Sequence, residues 1–204
     1  MVDNSNCFDV QKNERLIYLS GMVKDDTVSQ ICERIANINM FDIANCQKFI
    51  KYEIQPIHLY IQSFGGSVND MWALIDTIES SVTPIITYCS GYCMSAAALI
   101  FLAGHYRIMY KHSDFMLHQI FSIIGGKIND IVLEVDHTKY EHKRIMKYIK
   151  KHTKLPKKLL KTIDLDKEDL YLTAKDCIKY GICDEVIKKS GNRKDFLSAM
   201  KEQE

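Results

Sequence analysis

One serine and one histidine in this sequence are candidates for acyl-transfer chemistry. Ser95 lies in the stretch CSGYCMSAAALIFLAG, just after a turn signal and just before small and apolar residues, and His118 ends the stretch DFMLH. A serine hydroxyl attacks a carbonyl carbon when an imidazole accepts its proton and a carboxylate orients that imidazole. The pair therefore predicts nucleophilic catalysis, with Ser95 as the nucleophile and His118 as the general base.

A carboxylate and two oxyanion donors would complete such a site. Gly66 can bring its N–H close to a substrate oxygen because glycine lets the backbone approach, and Ala96 offers the N–H that follows the serine. Because Ser95 begins a predicted helix, the helix dipole also favours negative charge here. The acidic candidates, among which residue type alone does not choose, are Asp164, Asp166, Glu168 and Asp169.

The same residues have simpler explanations. A serine ahead of a run of alanines is typical of close helix packing, and a pair such as Gly65-Gly66 is typical of a turn. A histidine is more often a surface or core residue than a base, and Ser95 lacks the G-x-S-x-G pattern of α/β-hydrolases. Residue types alone therefore favour packing over catalysis for Ser95.

The composition predicts one globular domain and argues against some partners. The chain has 204 residues, of which 47% are hydrophobic and 26% charged, and its formal net charge is +1. This balance gives no reason to expect binding to nucleic acid or to an anionic membrane. The start MVDNSN does not resemble a signal peptide, and the longest apolar run, Ala96–Ala103, is shorter than the roughly 20 residues that span a bilayer.

The cysteines indicate a reducing compartment. An odd number at irregular spacing argues against a disulfide framework and for reduced thiols in the cytoplasm or an equivalent compartment. Cys89 and Cys93 lack a second Cys/His pair that would complete a zinc site, so we interpret both as small buried residues. The seven cysteines are Cys7, Cys32, Cys46, Cys89, Cys93, Cys177 and Cys183.

Alternating strand and helix patterns predict an α/β fold with parallel strands. Ligands of such sheets bind where strands end and helices begin, as at Gly65-Gly66 and Ser90–Ser95. The predicted strands are Leu16–Leu19, Ile57–Gln62, Ile85–Cys89, Tyr106–Tyr110, Asp114–His118 and Val186-Ile187. The first predicted helix begins at Asp25 or Asp26 and ends near Ile38, and three more cover Val68–Glu79, Met94–Ala103 and Ile128 to about His152. A short helix follows Pro156, and the last helix extends from a Thr173/Asp176 capping box to Gly181.

The helix from Ile128 to His152 is unusually long. At about 1.5 Å per residue it would extend on the order of 35 Å, more than a domain of this size needs for its own core. An extended apolar segment, Ile120–Ile124, precedes it and would be an exposed edge in a single chain. The polar residues 190–204 are typical of a frayed tail. The secondary structure of Met40–Glu53 is ambiguous from the sequence pattern.

Four motifs, taken in order, resemble the proteolytic subunit of the Clp protease. They are QSFGGSV at 62–68, CSGYCMSAAALIFLAG at 89–104, DFMLHQ at 114–119 and KEDLYLTAKDCIKYGICDEVI at 167–187. The family typically has N-S-P-G-G, G-x-A-A-S-M-G/A-A, M-I-H-Q-P and D-R-D-x-F-L-S-A…A-x-x-Y-G-L-V-D at these places. The likeness extends from about Glu14 to Ile187.

The resemblance implies a fold. It is the α/β, ClpP/crotonase-like fold of repeated β-β-α units, with a protruding handle of a strand and a long helix at about 120–152. A single domain would cover 1–188, and a flexible tail would cover 189–204.

The resemblance also implies roles for individual residues. Asp169 matches the acid that orients the base, because it stands two residues before Tyr171, where the family has an aromatic residue. Asp164 and Asp166 are the fallback choices. The other matches are Ser95 as nucleophile, His118 as base, and Gly66 and Ala96 as oxyanion-hole N–H donors.

The implied function is a serine endopeptidase that hydrolyses peptide bonds of unfolded proteins inside a closed double-ring barrel, through an acyl-enzyme and with no metal or organic cofactor. Family members stack heptameric rings into a tetradecamer, and ATP is used by a partner AAA+ unfoldase. The family uses the segment before Phe8 to contact the ATPase, and this segment is short here. The resemblance therefore implies an unfoldase partner less directly than it implies the catalytic residues. Two alternatives are a non-catalytic structural subunit of a mixed ring and an acyl-CoA enzyme of the crotonase type, which uses carboxylates and needs no Ser95–His118 pair.

Several positions depart from the family pattern. Phe64 stands where the family has a proline before the glycine pair, and Ile120 stands where a proline follows His-Gln. Tyr92 is unusual in the loop before the serine, and the next two residues, Cys93 and Met94, stand where small residues are common, which could reshape the substrate pocket. A few inserted residues are expected within Met40–Gln55.

Overall fold

The computed structural model describes residues 15–166 and 168–187. Strands and helices alternate over most of this length. The strands are β1 Leu16–Val23, β2 Ile57–Gly66, β3 Ile85–Met94, β4 Tyr106–Tyr110, β5 Asp114–Leu117, β6 Leu170–Thr173 and β7 Glu185–Ile187. The helices are α1 Asp25–Lys48, α2 Val68–Glu79, α3 Ala96–Leu102, α4 Ile128–His152, α5 Lys157–Lys161 and α6 Ala174–Lys179, with a π-helical turn at Thr162–Asp166.

The strands form one mixed sheet. Five of them are parallel in the order β1-β2-β3-β4-β7, while β5 pairs parallel with β3 and antiparallel with β6. Helix α3 packs against β2 and β3, and α2 packs against α1 and α3. All seven residues of α3 are buried, as its uniformly apolar sequence predicts. The predicted α/β architecture with parallel strands is therefore confirmed.

Strand β3 is longer than predicted. The expected turn at Ser90-Gly91 is wrong, because the strand continues through these residues to Met94. The pairing with β2 changes register between Ile61 and Ser63, which accommodates the extra residues as an irregularity in the ladder. Beyond this point β3 leaves β4 and pairs with β5, so the strand end lies beside the segment that leads to His118.

Helix α1 also extends further than predicted, to Lys48 rather than about Ile38. Its later turns are held by the buried Asp42, which accepts hydrogen bonds from Arg15 on the β1 side and from Thr83 ahead of β3. The predicted cap by Asp25 or Asp26 is wrong, because Lys24 occupies the cap position without a side-chain bond and both acids lie in the first turn. Tertiary contacts therefore decide where this helix ends.

The segment before the long helix differs from the prediction. Within the described chain, Ile120–Ile124 forms no strand, and Phe121 and Ile123 are 77% and 87% exposed. A strand needs a partner edge, and no described strand pairs with this segment. Helix α4 matches the predicted bounds, and its buried residues are Glu141, Ile145, Met146, Tyr148 and Ile149, all in its second half.

The remaining predicted elements fall close to their expected positions. Thr173 and Asp176 form the predicted capping box of α6, and α5 follows Pro156. The tail at 189–204 lies outside the described residues, and the single-domain boundary stays a prediction. No helix in the described ranges combines the length and the apolar character needed to cross a membrane.

Candidate active site

Ser95 occupies a strained position between β3 and α3. Its φ is 54° and its ψ is −126°, and no other non-glycine residue in the described part of the chain has a positive φ. Such a conformation costs about 1–3 kcal/mol and persists only where neighbouring structure enforces it. Here the Ser95 N–H donates to the Met116 carbonyl oxygen at 2.9 Å. The resulting sharp strand-to-helix turn is the geometry that exposes a nucleophile in hydrolases, although the sequence pattern differs.

A close approach of β2 supports this turn. A Cβ atom placed on Gly65 would lie 2.8 Å from the Ser95 Cβ and 2.9 Å from the Ala96 nitrogen. Gly65 has a φ of +102°, so both the conformation and the space favour glycine. The sequence prediction of a simple turn at the glycine pair is incomplete, since both glycines are the last residues of β2 and one packs on the serine.

His118 lies against the serine hydroxyl. Its Nε2 atom is 2.7 Å from the Ser95 Oγ, within the range expected of a nucleophile and its base. The backbone explains the meeting: β5 ends at Leu117, and its Met116 pairs with Met94, the residue before Ser95. Parallel pairing of β3 and β5 thus brings together two side chains that are distant in sequence.

Asp169 lies beside His118 in the backbone register without a bond to it. The β5–β6 ladder pairs Leu117 with Leu170, and continuing it by one residue sets His118 opposite Asp169. Directly opposite residues of an antiparallel pair have Cβ atoms about 4.5–5.5 Å apart. The Asp169 side chain is exposed, and among residues 15–166 and 168–187 no carboxylate hydrogen-bonds to His118. Its role as the orienting acid stays a prediction.

The fallback acids have other partners. Asp164 Oδ1 lies 3.0 Å from the His142 Nε2 of α4, and the Asp164 carbonyl oxygen accepts from the Gln119 side chain at 3.4 Å. Asp166 lies 3.7 Å from Lys161 on the surface. The sequence carried no signal for the His142–Asp164 pair, because it depends on how α4 crosses the π-helical turn. That pair links the long helix to the residue that follows His118.

The two candidate oxyanion donors border the same cavity as Ser95. Ala96 is the first residue of α3, so its N–H is among those without an acceptor inside the helix. Gly66 has a φ of +153°, and a side chain there would collide with the Val23 carbonyl oxygen. Glycine is therefore the residue that fits beside Val23 at this edge of the cavity. The use of the Gly66 and Ala96 N–H groups as donors stays a prediction.

The cavity around the pair is apolar and has a volume of about 270 Å³. A serine and a histidine supply its polar side chains, while aliphatic, thioether and aromatic groups supply the remainder. This lining can hold an uncharged side chain of a bound chain and exclude water from the reacting atoms. It consists of Phe64, Gly66, Val68, Met71, Ser95, Ala96, Leu99, Met116, Leu117, His118, Ile120, Phe121, Ile145 and Ile149.

The cysteines near the site are inert by burial. Cys89 and Cys93 are buried on β3, and burial raises the pKa of the Cys93 thiol well above its usual range. Burial likewise raises the pKa of the Cys183 thiol to about 11. A protonated thiol is a poor nucleophile and metal ligand, so Cys93 and Cys183 act as small apolar groups. The described ranges hold no cluster of three or more candidate metal ligands.

Comparison with known proteins identifies the family. A family model described as Clp protease matches residues 3–190. The chain belongs to the Clp protease family. It is 31% identical over 177 residues to the ATP-dependent Clp protease proteolytic subunit 4 of Rhodococcus jostii (strain RHA1), covering 86% of this chain and 85% of the relative. It is 30% identical over 179 residues to subunit 1 of Prochlorococcus marinus, with coverages of 86% and 85%.

A third relative agrees with the first two. The Rhodococcus jostii proteolytic subunit 2 is 28% identical over 179 residues, covering 87% of this chain and 86% of its own length. Membership of the Clp protease family confirms the resemblance found in the sequence motifs and supports a protease function for the chain.

Proposed function

We propose that this chain is a serine endopeptidase that cleaves unfolded polypeptides. The observation that carries the proposal is the 2.7 Å contact between His118 Nε2 and Ser95 Oγ, at a strained turn that opens into an apolar cavity. A serine used only for packing needs neither a neighbouring imidazole nor a left-handed backbone. Strained backbone of this kind costs free energy and is concentrated at active sites and ligand sites.

The reaction follows from the positions of these groups. The His118 Nε2 accepts the Ser95 proton while Oγ attacks the peptide carbonyl carbon. The Gly66 and Ala96 N–H groups donate to the oxygen as it becomes negative. His118 then donates its proton to the leaving amine, which leaves an acyl-enzyme on Ser95. Water, deprotonated by His118, attacks the ester carbon. The C–O bond to Ser95 then breaks, His118 returns the proton to the Ser95 Oγ, and the carboxylic acid is released.

Asp169 is the proposed orienting acid. Support comes from the β5–β6 ladder, whose last pair is Leu117 with Leu170: extended by one residue it brings Asp169 opposite His118, and a side-chain rotation would then direct the carboxylate towards Nδ1. There it would fix the tautomer that leaves Nε2 free to accept a proton, and it would stabilise the imidazolium. Asp164 is less suited to this role, since His142 already occupies its carboxylate.

Assembly into heptameric rings and a tetradecamer is part of the proposal. Support comes from exposed apolar side chains along the handle: Phe121, Ile123, Ile128, Val132 and Leu133 are 55–87% exposed. Such a surface is costly in a lone chain and suits contact with further copies. An AAA+ unfoldase would use ATP to deliver the substrate to the barrel. The free cysteines are consistent with the cytoplasm or an equivalent reducing compartment.

A non-catalytic structural subunit of a mixed ring is the second candidate. The exposed Asp169 side chain, which does not hydrogen-bond to His118, favours it, since an imidazole without its orienting acid is a weaker base. The two candidates differ in the reactivity of Ser95. A catalytic subunit reacts with a fluorophosphonate at this hydroxyl, and a structural subunit does not.

The decisive experiment joins labelling to peptide hydrolysis. We expect mass spectrometry to find the fluorophosphonate on Ser95, and Ser95→Ala to abolish both labelling and cleavage of a fluorogenic peptide. Ser90→Ala, on the same strand five residues earlier, is the matched control and keeps both. Cleavage that survives in Ser95→Ala, with the same particle size by native mass spectrometry, rules out the assignment.

A further inference from the structure

An aromatic pair, of an exposed Phe64 and a partly buried Tyr92, lies at the edge of the candidate active site and has no part in the proposed chemistry. The Phe64 ring stacks on the Tyr92 ring with centroids 4.2 Å apart and planes 25° apart. The Phe64 side chain is 65% exposed, and it borders the same cavity as Ser95 and His118. One ring face is therefore covered by Tyr92, and the other remains open to a ligand.

The position of Phe64 relative to the nucleophile is set by the backbone. Phe64 directly precedes Gly65, where a Cβ would lie 2.8 Å from the Ser95 Cβ. The next residue, Gly66, is the proposed oxyanion donor. A peptide whose carbonyl oxygen points at Gly66 therefore carries side chains next to the cleaved bond within reach of the Phe64 ring.

The chemistry of the surroundings favours an uncharged planar group. The side chains given above for the cavity lining carry no carboxylate, ammonium or guanidinium group. Tyr92 holds the Phe64 ring in one orientation, so a second ring can add to the stack with little loss of side-chain entropy. Two packed aromatic rings gain stabilisation beyond that of the apolar area they bury. An aliphatic side chain on the same surface gains only the stabilisation from the buried area.

We propose that Phe64, supported from behind by Tyr92, forms a subsite that selects an aromatic side chain adjacent to the cleaved peptide bond. This inference rests on the proposed peptidase function. Phe64 is a specificity residue that touches the substrate, and Tyr92 is a positioning residue that acts through it.

The test separates ring stacking from bulk. Internally quenched peptides would differ at one residue next to the cleaved bond, which is Phe, cyclohexylalanine or Leu. We expect kcat/KM for Phe to exceed that for cyclohexylalanine by about three- to tenfold at one of the flanking positions. Phe64→Leu should bring that ratio close to one, and Tyr92→Leu should lower it partly.

Two further variants serve as controls. Phe49→Leu, at a ring that is 58% exposed at the end of α1 and is not among the cavity-lining residues, should keep the wild-type ratio. Phe121→Leu examines the second ring of the cavity lining. The proposal is overturned if Phe121→Leu removes the preference while Phe64→Leu keeps it.

The remaining outcomes distinguish this inference from the function on which it rests. If fluorophosphonate labels Ser95 and peptides are cleaved but the wild-type ratio is near one, the subsite is absent and the peptidase stands. A neighbouring copy that covers Phe64 would give that result. If the assembled protein is neither labelled nor active on any peptide, the proposed function fails and the subsite fails with it.

Discussion

Replacing Gly65 by alanine tests whether the approach of β2 to the nucleophile matters. The added Cβ would lie 2.8 Å from both the Ser95 Cβ and the Met94 carbonyl oxygen. Ordinary contacts begin at 3.4 Å, so the strand and the turn must separate by about 0.6 Å. A misplacement of about 1 Å in an active site can cost on the order of 100-fold in rate.

We therefore expect Gly65→Ala to lower kcat/KM for a fluorogenic peptide by about 10- to 30-fold. The backbone conformation adds about 1–2 kcal/mol of strain, and the steric overlap adds about 1–3 kcal/mol, so the free energy of unfolding should fall by about 2–5 kcal/mol. Urea denaturation measures the free energy, and the rate of fluorophosphonate labelling reports the position of the Ser95 hydroxyl directly.

Gly21→Ala is the matched control. Gly21 has a similar φ of +85°, but nothing lies within 4 Å of a Cβ placed there. This variant carries the backbone strain of about 1–2 kcal/mol without the steric overlap at Ser95. Equal losses of kcat/KM in the two variants would refute the reasoning, because the loss would then come from strain or stability and not from displacement of the nucleophile.

Two further substitutions test charged groups in the fold and in the site. Asp42→Asn should lower the free energy of unfolding by about 3–5 kcal/mol in urea denaturation, because it leaves the buried Arg15 guanidinium without its partner. Burial raises the pKa of Asp42, but the hydrogen bonds from Arg15, Thr83 and Tyr52, together with the charge of Arg15, outweigh burial and hold this pKa below its usual value. The stabilisation from these contacts should therefore be complete above about pH 4 and decline as the pH falls further. Asp169→Asn should lower kcat by about 10²- to 10⁴-fold in steady-state peptide hydrolysis, because the His118 tautomer is then no longer enforced.

The Asp42→Asn and Asp169→Asn predictions each have a matched control variant and an outcome that would contradict them. Asp26→Asn removes a side chain that is 78% exposed and should leave the urea midpoint unchanged. An Asp42→Asn protein as stable as the wild type would contradict the importance of the buried pair. Asp166→Asn removes a surface acid of the π-helical turn and should leave kcat unchanged. If Asp166→Asn lowers kcat and Asp169→Asn does not, the orienting acid has been misassigned.

Elements defined by local patterns were predictable from the sequence. Helix α2 has its predicted bounds, Val68–Glu79, because apolar residues recur at helical spacing and Ser67 accepts the capping bond. The Thr173/Asp176 capping box and the long helix α4 were predictable for the same reason. Each of these signals involves residues within a few positions of one another.

Features that depend on distant partners were not predictable in this way. The sequence named Ser95 and His118, but their 2.7 Å contact needs the pairing of β3 with β5. The left-handed backbone at Ser95 is enforced by Met116 and Gly65, which belong to other strands. The expected strand at Ile120–Ile124 is absent from the described single chain, because the pattern specifies a strand-forming segment and not the edge it needs.

The sequence by itself indicated the candidate residues for the chemistry, the alternation of strands and helices, and the family, but it did not predict strand β6. The tertiary structure decided that the imidazole lies against Ser95 and not elsewhere, that Asp164 belongs to His142, and that Phe64 stands open beside the nucleophile. The division has one physical cause. Hydrophobic periodicity and capping act over one or two turns of chain, whereas a site assembles through long-range strand pairing whose register no short window of residues contains.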